Sequence, residues 1–201
     1  MTVRRAPDLA RAARAIDEFL DAIGAPSGDP ELRGPGRRVA EAFAQDLLAG
    51  YAMDPAAILA ESTSSRASGL VVIRDVATTT MCPHHLLPAT GVVHVAYLPG
   101  EKVVGLGALA RVVDCYARRL ILQEDLGQQI ADSLVLHLGA RGAGAIVDLA
   151  PTCVIARGDR RHGARAVTSA FAGSMADDPT LRAEMWSAIR GGDHGPAPER
   201  T

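Results

Sequence analysis

The chain is 201 residues long, 48% apolar and 22% charged, with a formal net charge of −2. That balance fits one globular domain with a terminal extension, and excludes a disordered chain, a fibrous repeat and a disulfide scaffold. Near-neutral charge with only 3% aromatics supplies neither the field nor the stacking surface that nucleic acid or anionic lipid would need.

In chain order, residues 8–24 place Leu9, Ala13, Ile16, Leu20 and Ile23 at helical spacing. This predicts an amphipathic helix and not a signal peptide. Residues 25–37, rich in Pro and Gly, read as a linker, and 38–52 as a second helix with Val39, Ala42, Phe43, Leu47 and Leu48 on one side. Residues 54–68 carry no clear period. From Leu70 the pattern turns to strands: LVVIRDV, then 92–98 and 102–106. Two helices follow, at 107–120 and 122–138. Strands at 145–149 and 153–156, a sheet extension at 165–172, a helix at 179–189 and a disordered tail at 191–201 complete the chain. The expected organisation is an N-terminal helical region (1–68), a domain at 69–190 and the tail. Strands in hairpins with helices grouped between them predict an α+β fold with an antiparallel sheet. No apolar run approaches the roughly 20 residues of a membrane span.

Cys82, Cys115 and Cys153 are an odd number, far apart, which points to a reducing, cytoplasmic compartment. Met81-Cys82-Pro83-His84-His85 gathers a thiol and two imidazoles within four residues. Cys-x-x-His is half of a zinc site, and Cys153, at the start of a predicted strand, offers a third ligand. Three protein ligands leave one position for water, the catalytic arrangement. On spacing alone the bland reading stays open, with the cysteines as small buried hydrophobes and the histidines as ordinary. Cys115, mid-helix on an apolar stripe, reads as core packing. His94, in a period-2 strand, reads as a sheet histidine.

C-x-H-H-L-L-P, G-x-x-H-V-A-Y-L-P, V-x-G-L-x-x-L-A-R-V-V-D, A-R-R-L-x-x-Q-E-x-L-x-Q-Q-I-A-D, C-x-x-x-R-G and V-T-S-A follow one another over residues 70–190. In this order and separation they resemble the GTP cyclohydrolase I family, and GRRVAEAF resembles its N-terminal region more loosely. The resemblance implies the tunnelling fold, an antiparallel four-stranded sheet with helices on one face. It also implies a homo-oligomer, a toroidal decamer whose sites lie between subunits. Cys82, His85 and Cys153 would be the zinc ligands, and His84 a proton-handling neighbour. Gln123 and Glu124 would grip guanine, and Arg111 and Arg157 would hold the triphosphate. A carboxylate accepting from the N1–H and 2-amino edge of guanine is a sound bidentate match. The implied chemistry starts from zinc lowering the pKa of its water. Hydroxide then adds to C8, the imidazole opens, formate leaves and a dihydropterin closes.

Four departures from the family pattern fall at the site. Pro83 stands where the family has Glu, Ala108 of Gly107-Ala108 and Glu41 stand at phosphate lysines, and Pro151 stands at a catalytic histidine. Two ammonium groups are removed and a carboxylate added in a chain whose single lysine is Lys102. Arg37, Arg38 and Arg160 are candidate replacements, although Arg does not reproduce Lys geometry. His162 is a candidate replacement for the lost proton carrier. The sequence therefore favours a zinc-dependent cyclohydrolase acting on a purine or pterin-like substrate that does not rely on a triphosphate. An authentic GTP cyclohydrolase I and a non-catalytic zinc-containing assembly are the alternatives.

Overall fold

The structure, a computed structural model, describes residues 6–25, 34–158 and 160–191. Residues 26–33 of the linker and 192–201 of the expected tail lie outside the described residues.

Helix α1 (Leu9–Ala22) begins where the Asp8 carboxylate accepts from the Arg11 amide at 2.9 Å, satisfying one of the free amides of a first turn. It packs along α2 (Pro35–Ala42). Gly36 makes that approach possible: its amide donates to the Asp17 carboxylate at 3.0 Å, and any Cβ there would collide with the Ala13 carbonyl. The helix predicted over 38–52 thus starts three residues earlier. It then loosens into a π-helical turn at Phe43–Leu47 and a 3₁₀ turn at Ala49–Ala52. Residues 54–68 resolve into α3 (Pro55–Ala60), capped by Asp54, and the short strand β1 (Ser62–Ser64).

The main sheet holds β2 (Val71–Met81), β3 (Pro88–Leu98), β5 (Gly142–Pro151) and β6 (Ala166–Gly173), all antiparallel in the order β2-β3-β5-β6. A separate short pair joins β1 to β4 (Lys102–Val104). Alternation sorts the strands into two faces. Ala89, Val93, Val95 and Tyr97 of β3, with Ala143, Ala145, Val147 and Leu149 of β5, enter the main core beneath α4 (Leu106–Ala117) and α5 (Gln123–Ser133). Leu109, Val112 and Val113 of α4 and Leu126 and Ile130 of α5 complete that core, and Cys115 is buried in it, as expected. On the opposite face Ala96 and Ile146 meet Met175 of α7 (Ser174–Asp177) and Met185 of α8 (Pro179–Arg190). No helix of the described residues is long and apolar enough to cross a membrane.

One predicted strand is a helix. Residues 153–156 lie in α6 (Thr152–Ile155), while 145–149 belong to a longer β5 that runs to Pro151. The cause is pairing. Ala89 opposite Pro151 is the last rung between β3 and β5. Beyond it the β-branched Val154 and Ile155 have no strand to pair with, so the backbone closes on itself, the Ala156 amide donating to the Thr152 carbonyl.

β2 carries a bulge between Ile73 and Val76, with Asp75 in the left-handed region at φ 56°. The bulge aims the Asp75 amide at Nδ1 of buried His94, to which it donates at 3.2 Å. His94 is therefore a satisfied sheet histidine. Burial holds its pKa below the ordinary 6.5, against the opposing pull of Asp75 and Asp148. A lowered folded pKa makes the neutral ring a source of stability above pH 6.5. That contribution is lost as pH falls through the folded value. His94→Gln is expected to destabilise the chain most at pH 7, with the deficit shrinking toward pH 5 in thermal melts. A deficit independent of pH would show that burial of neutral His94 is not what couples stability to protons.

Candidate active site

The Cys82–Leu87 segment is a tight connection between β2 and β3. Cys82 donates its amide to the Leu87 carbonyl at 2.9 Å, and the Leu86 amide donates back to the Cys82 carbonyl at 2.9 Å. Leu86 sits in the left-handed region at φ 52°, a conformation costly for a branched side chain. The closure projects Cys82 and His85 to the same side, with Cys82 Sγ 3.7 Å from His85 Nδ1. Cys153, in the first turn of α6, comes to the same place because the Thr152 hydroxyl donates to the Pro88 carbonyl at the start of β3. One ligand atom from each of Cys82, His85 and Cys153 lies within 4.8 Å of the others.

The donor set fits a zinc-like cation. Tetrahedral zinc with usual bond lengths separates a sulfur and a nitrogen ligand by about 3.6 Å, close to the 3.7 Å found. Burial and the neighbouring Cys82 thiol push the Cys153 thiol above its ordinary pKa, and a divalent cation is the partner that would relieve this repulsion between paired thiolates. Arg157 bears on the third ligand, its Nη1 standing 2.9 Å from His85 Nε2. A guanidinium only donates, so Nε2 accepts and the ring proton lies on Nδ1, the edge toward Cys82. Ligation through Nδ1 needs that proton on Nε2, so Arg157 must leave the ring when a cation is held there.

A cavity of about 230 Å³ adjoins the cluster. Cys82, His84, Gln123, Glu124 and Cys153 line it together, with Thr80, Pro83, Pro88, Ala89, Ile121, Leu122, Leu149 and Pro151. Two of the three residues expected to hold metal thus meet in one space with those expected to carry a proton and grip a base, while His85 reaches the cysteines from outside the lining, although 71 positions separate Cys82 from Cys153. Gln123 is more constrained than its sequence context suggests. Its side-chain amide donates to the Val147 carbonyl at 3.0 Å and the Ala166 carbonyl at 2.7 Å. Both N–H groups are spent on β5 and β6, which leaves Oε1 as its free polar atom, an acceptor.

Arg111 is not brought to this cavity. It lies on α4, where Nη2 donates to Glu61 at 2.5 Å. Of the candidate replacement cations, Arg37 is bound to Glu41 at 2.8 Å, and Arg38, Arg160 and His162 are not lining residues. Ala108 is buried in the main core, so that position offers no surface for a cation.

A sequence profile described as GTP cyclohydrolase I matches residues 12–190. The chain belongs to the GTP cyclohydrolase I family. Its α+β architecture is the tunnelling fold of that family, whose members are hydrolases acting on cyclic amidines. The chain is 42% identical over 183 residues to GTP cyclohydrolase 1 of Rhodopirellula baltica, covering 90% of this chain and 79% of that one. It is 40% identical over 189 residues to that of Corynebacterium glutamicum, covering 92% and 94%. It is 41% identical over 190 residues to that of Mycobacterium ulcerans, covering 94% of each. Among solved structures, the apo archaeosine synthase QueF-Like superposes with a TM-score of 0.45 at 19% identity, covering 54% of this chain and 98% of that one.

Cys153→Ala is expected to reduce bound zinc from about one ion per chain to near zero by elemental analysis, since two remaining ligands hold zinc poorly. Cys115→Ala, in the core, is expected to retain the metal. Stoichiometric zinc in the Cys153 variant would exclude this residue as a ligand.

Proposed function

We propose that this chain opens the imidazole ring of a guanine-like substrate by hydrolysis at C8, using zinc held by Cys82, His85 and Cys153, and that the substrate does not rely on a triphosphate. One observation carries the reading: Cys82 and Cys153, both within reach of His85, line a single cavity with His84 and the Gln123–Glu124 pair, and no lysine or arginine is a lining residue among those described.

Bound zinc would supply Lewis acidity, lowering the pKa of a water in reach of the ring. The chain's own residues supply the rest. Glu124 accepts from N1–H and the 2-amino group, a charge-assisted pair, and Gln123 adds Oε1, a second acceptor held by its two bonds to the sheet. An acceptor-only edge selects a ring with adjacent N–H donors and rejects one that presents a carbonyl there. Exposed His84 is the imidazole lining the cavity, placed to take and return protons. Pro151 moves no proton, so the second transfer step rests on solvent or on His84 again.

The phosphate end supports the substrate claim. Buried Ala108 offers no charge, Glu41 stands where a lysine is expected, and Arg111 would have to give up Glu61 to meet an anion. An exposed pair of this kind contributes only about 0–1 kcal/mol, so Arg111 is not locked. The missing ammonium groups, each worth roughly 1.5–3 kcal/mol in a charge-assisted bond, weigh more. Arg111 belongs to a neighbouring subunit's site in this reading, within a homo-oligomer, a decamer by family likeness. A second reading, an authentic enzyme forming a dihydropterin triphosphate and formate from GTP, is favoured by relatives that carry the name GTP cyclohydrolase 1 at about 40% identity.

The deciding experiment presents guanine, guanosine, GMP and GTP to zinc-loaded protein, with formate and ring-opened products read by mass spectrometry. Turnover of a substrate lacking the triphosphate at a kcat/KM above that for GTP is expected; GTP as the best substrate would establish the second reading. Glu124→Gln is expected to cut kcat/KM by about 10- to 150-fold with zinc retained. Glu41→Lys is expected to tighten GTP binding while leaving guanosine unchanged in calorimetry. Equal effects on both ligands would remove Glu41 from the phosphate end.

A further inference from the structure

Thr80 and Thr78 lie two residues apart on one face of β2, and both are almost fully buried, at 3% and 8% exposure. Among the described residues, neither hydroxyl has a hydrogen-bond partner. A buried hydroxyl left unpaired is a standing cost, and in a native protein such a group calls for an explanation. The two differ in what they line. Thr78 borders a separate cavity of about 490 Å³ with Asp46, Asp114 and Arg118. Thr80, opposite Ala89 in the sheet and two positions before Cys82, borders the cavity that holds Glu124 and the cysteines.

The Gln123–Glu124 side of that cavity offers the ring only acceptors. Glu124 accepts, and Gln123 can only accept, because its amide hydrogens are committed to Val147 and Ala166. Such a pair takes the N–H donors of a guanine-type ring. The same ring carries acceptors, a carbonyl oxygen and unprotonated nitrogens, and these need donors. Pro88, Ala89, Ile121 and Leu149 offer no side-chain donor, and His84 and the cysteines are given to proton transfer and metal in the proposed reaction. A threonine hydroxyl rotates freely to donate, and burial makes a bond there stronger than it would be in water.

We propose that Thr80 is a substrate-contacting residue, its hydroxyl donating to an acceptor atom of the ring that Glu124 and Gln123 hold. This rests on the reading of the cavity as a site for a guanine-like ring. The hydroxyl is idle until a ligand arrives, so its removal harms binding and not folding.

The test compares wild type, Thr80→Val, Thr80→Ser and Thr78→Val as zinc-loaded full-length protein. The probes are guanosine and GTP, read by calorimetry, with kcat/KM for whichever is turned over and a thermal melt for each variant. Thr80→Val keeps the shape and drops the hydroxyl. It is expected to bind the purine about five- to a hundredfold more weakly, the range of one buried hydrogen bond, with zinc content and melting temperature not reduced. Thr80→Ser is expected to restore binding to within about threefold of wild type. Thr78→Val, equally buried but bordering the other cavity, is expected to bind as wild type does. Wild-type affinity in Thr80→Val, an equal loss in Thr78→Val, or failure of Thr80→Ser to rescue would overturn the assignment alone. A wild-type protein that binds neither purine would overturn the reading of the cavity, and this assignment with it.

Discussion

The register of β3 is the constraint on which the site depends. Its first residues pair on both sides: Met81 lies opposite Pro88 and Thr80 opposite Ala89 on β2, and Ala89 lies opposite Pro151 on β5. Those rungs bring the end of β2 and the end of β5 to the same end of the sheet, and Cys82, His85 and Cys153 each follow within four residues of one strand or the other. A slip of one residue would displace a ligand by about 3.3 Å and turn it to the opposite face. The register is held in turn by burial. Val93, Val95 and Tyr97 point under α4 and α5, and a slip would send them to the other face. The hydrophobic pattern of β3 thus sets the separation of two sulfurs that contribute almost nothing to folding themselves.

The same coupling explains what was legible in the sequence. Long periodic segments, α1, α4, α5 and α8, were readable because each carries apolar residues at helical spacing, half-buried in α1 and buried in α4 and α5. The Cys-x-x-His cluster was readable because its donors are adjacent. Cys153 was offered as a third ligand beside the Cys-x-x-His cluster before the family motifs supported it, but its local setting differs: Cys-Val-Ile-Ala has strand character, yet pairing with β3 stops at Pro151, two residues before it. Propensity lost to the absence of a partner. The TTT stretch before Met81 extended β2 beyond the predicted 70–76 for the opposite reason, since it has β3 to pair with from Thr78 through Met81. The Arg111–Glu61 pair, 50 positions apart, left no signal, because charges on separate exposed elements have no period.

Electrostatics separate the site into two ends of different character. At the metal end, charge is concentrated and organised: two thiols, an imidazole and a guanidinium that competes for the same ring nitrogen system. Of the cations proposed for a phosphate end, two are matched by carboxylates on the same chain, Arg37 by Glu41 and Arg111 by Glu61. Both pairs are exposed and individually weak. Their consequence is one of field more than of bonds, because a triphosphate approaching paired charges meets little net attraction. A neutral ring held by directional hydrogen bonds is indifferent to that field.

Gln123 fastens the cavity wall to the sheet. Its amide bridges the Val147 carbonyl of β5 and the Ala166 carbonyl of β6, beside the last rung of that strand pair, Leu149 opposite Ala166. The side chain proposed to present an acceptor to the ring is thereby fastened to the sheet that positions Cys153. In the proposed site the distance from Gln123 to Cys153 is set by strand pairing. A reaction at one carbon of a bound ring demands that this distance be fixed to a fraction of an ångström. A site assembled only from loops would lose that precision with each thermal excursion.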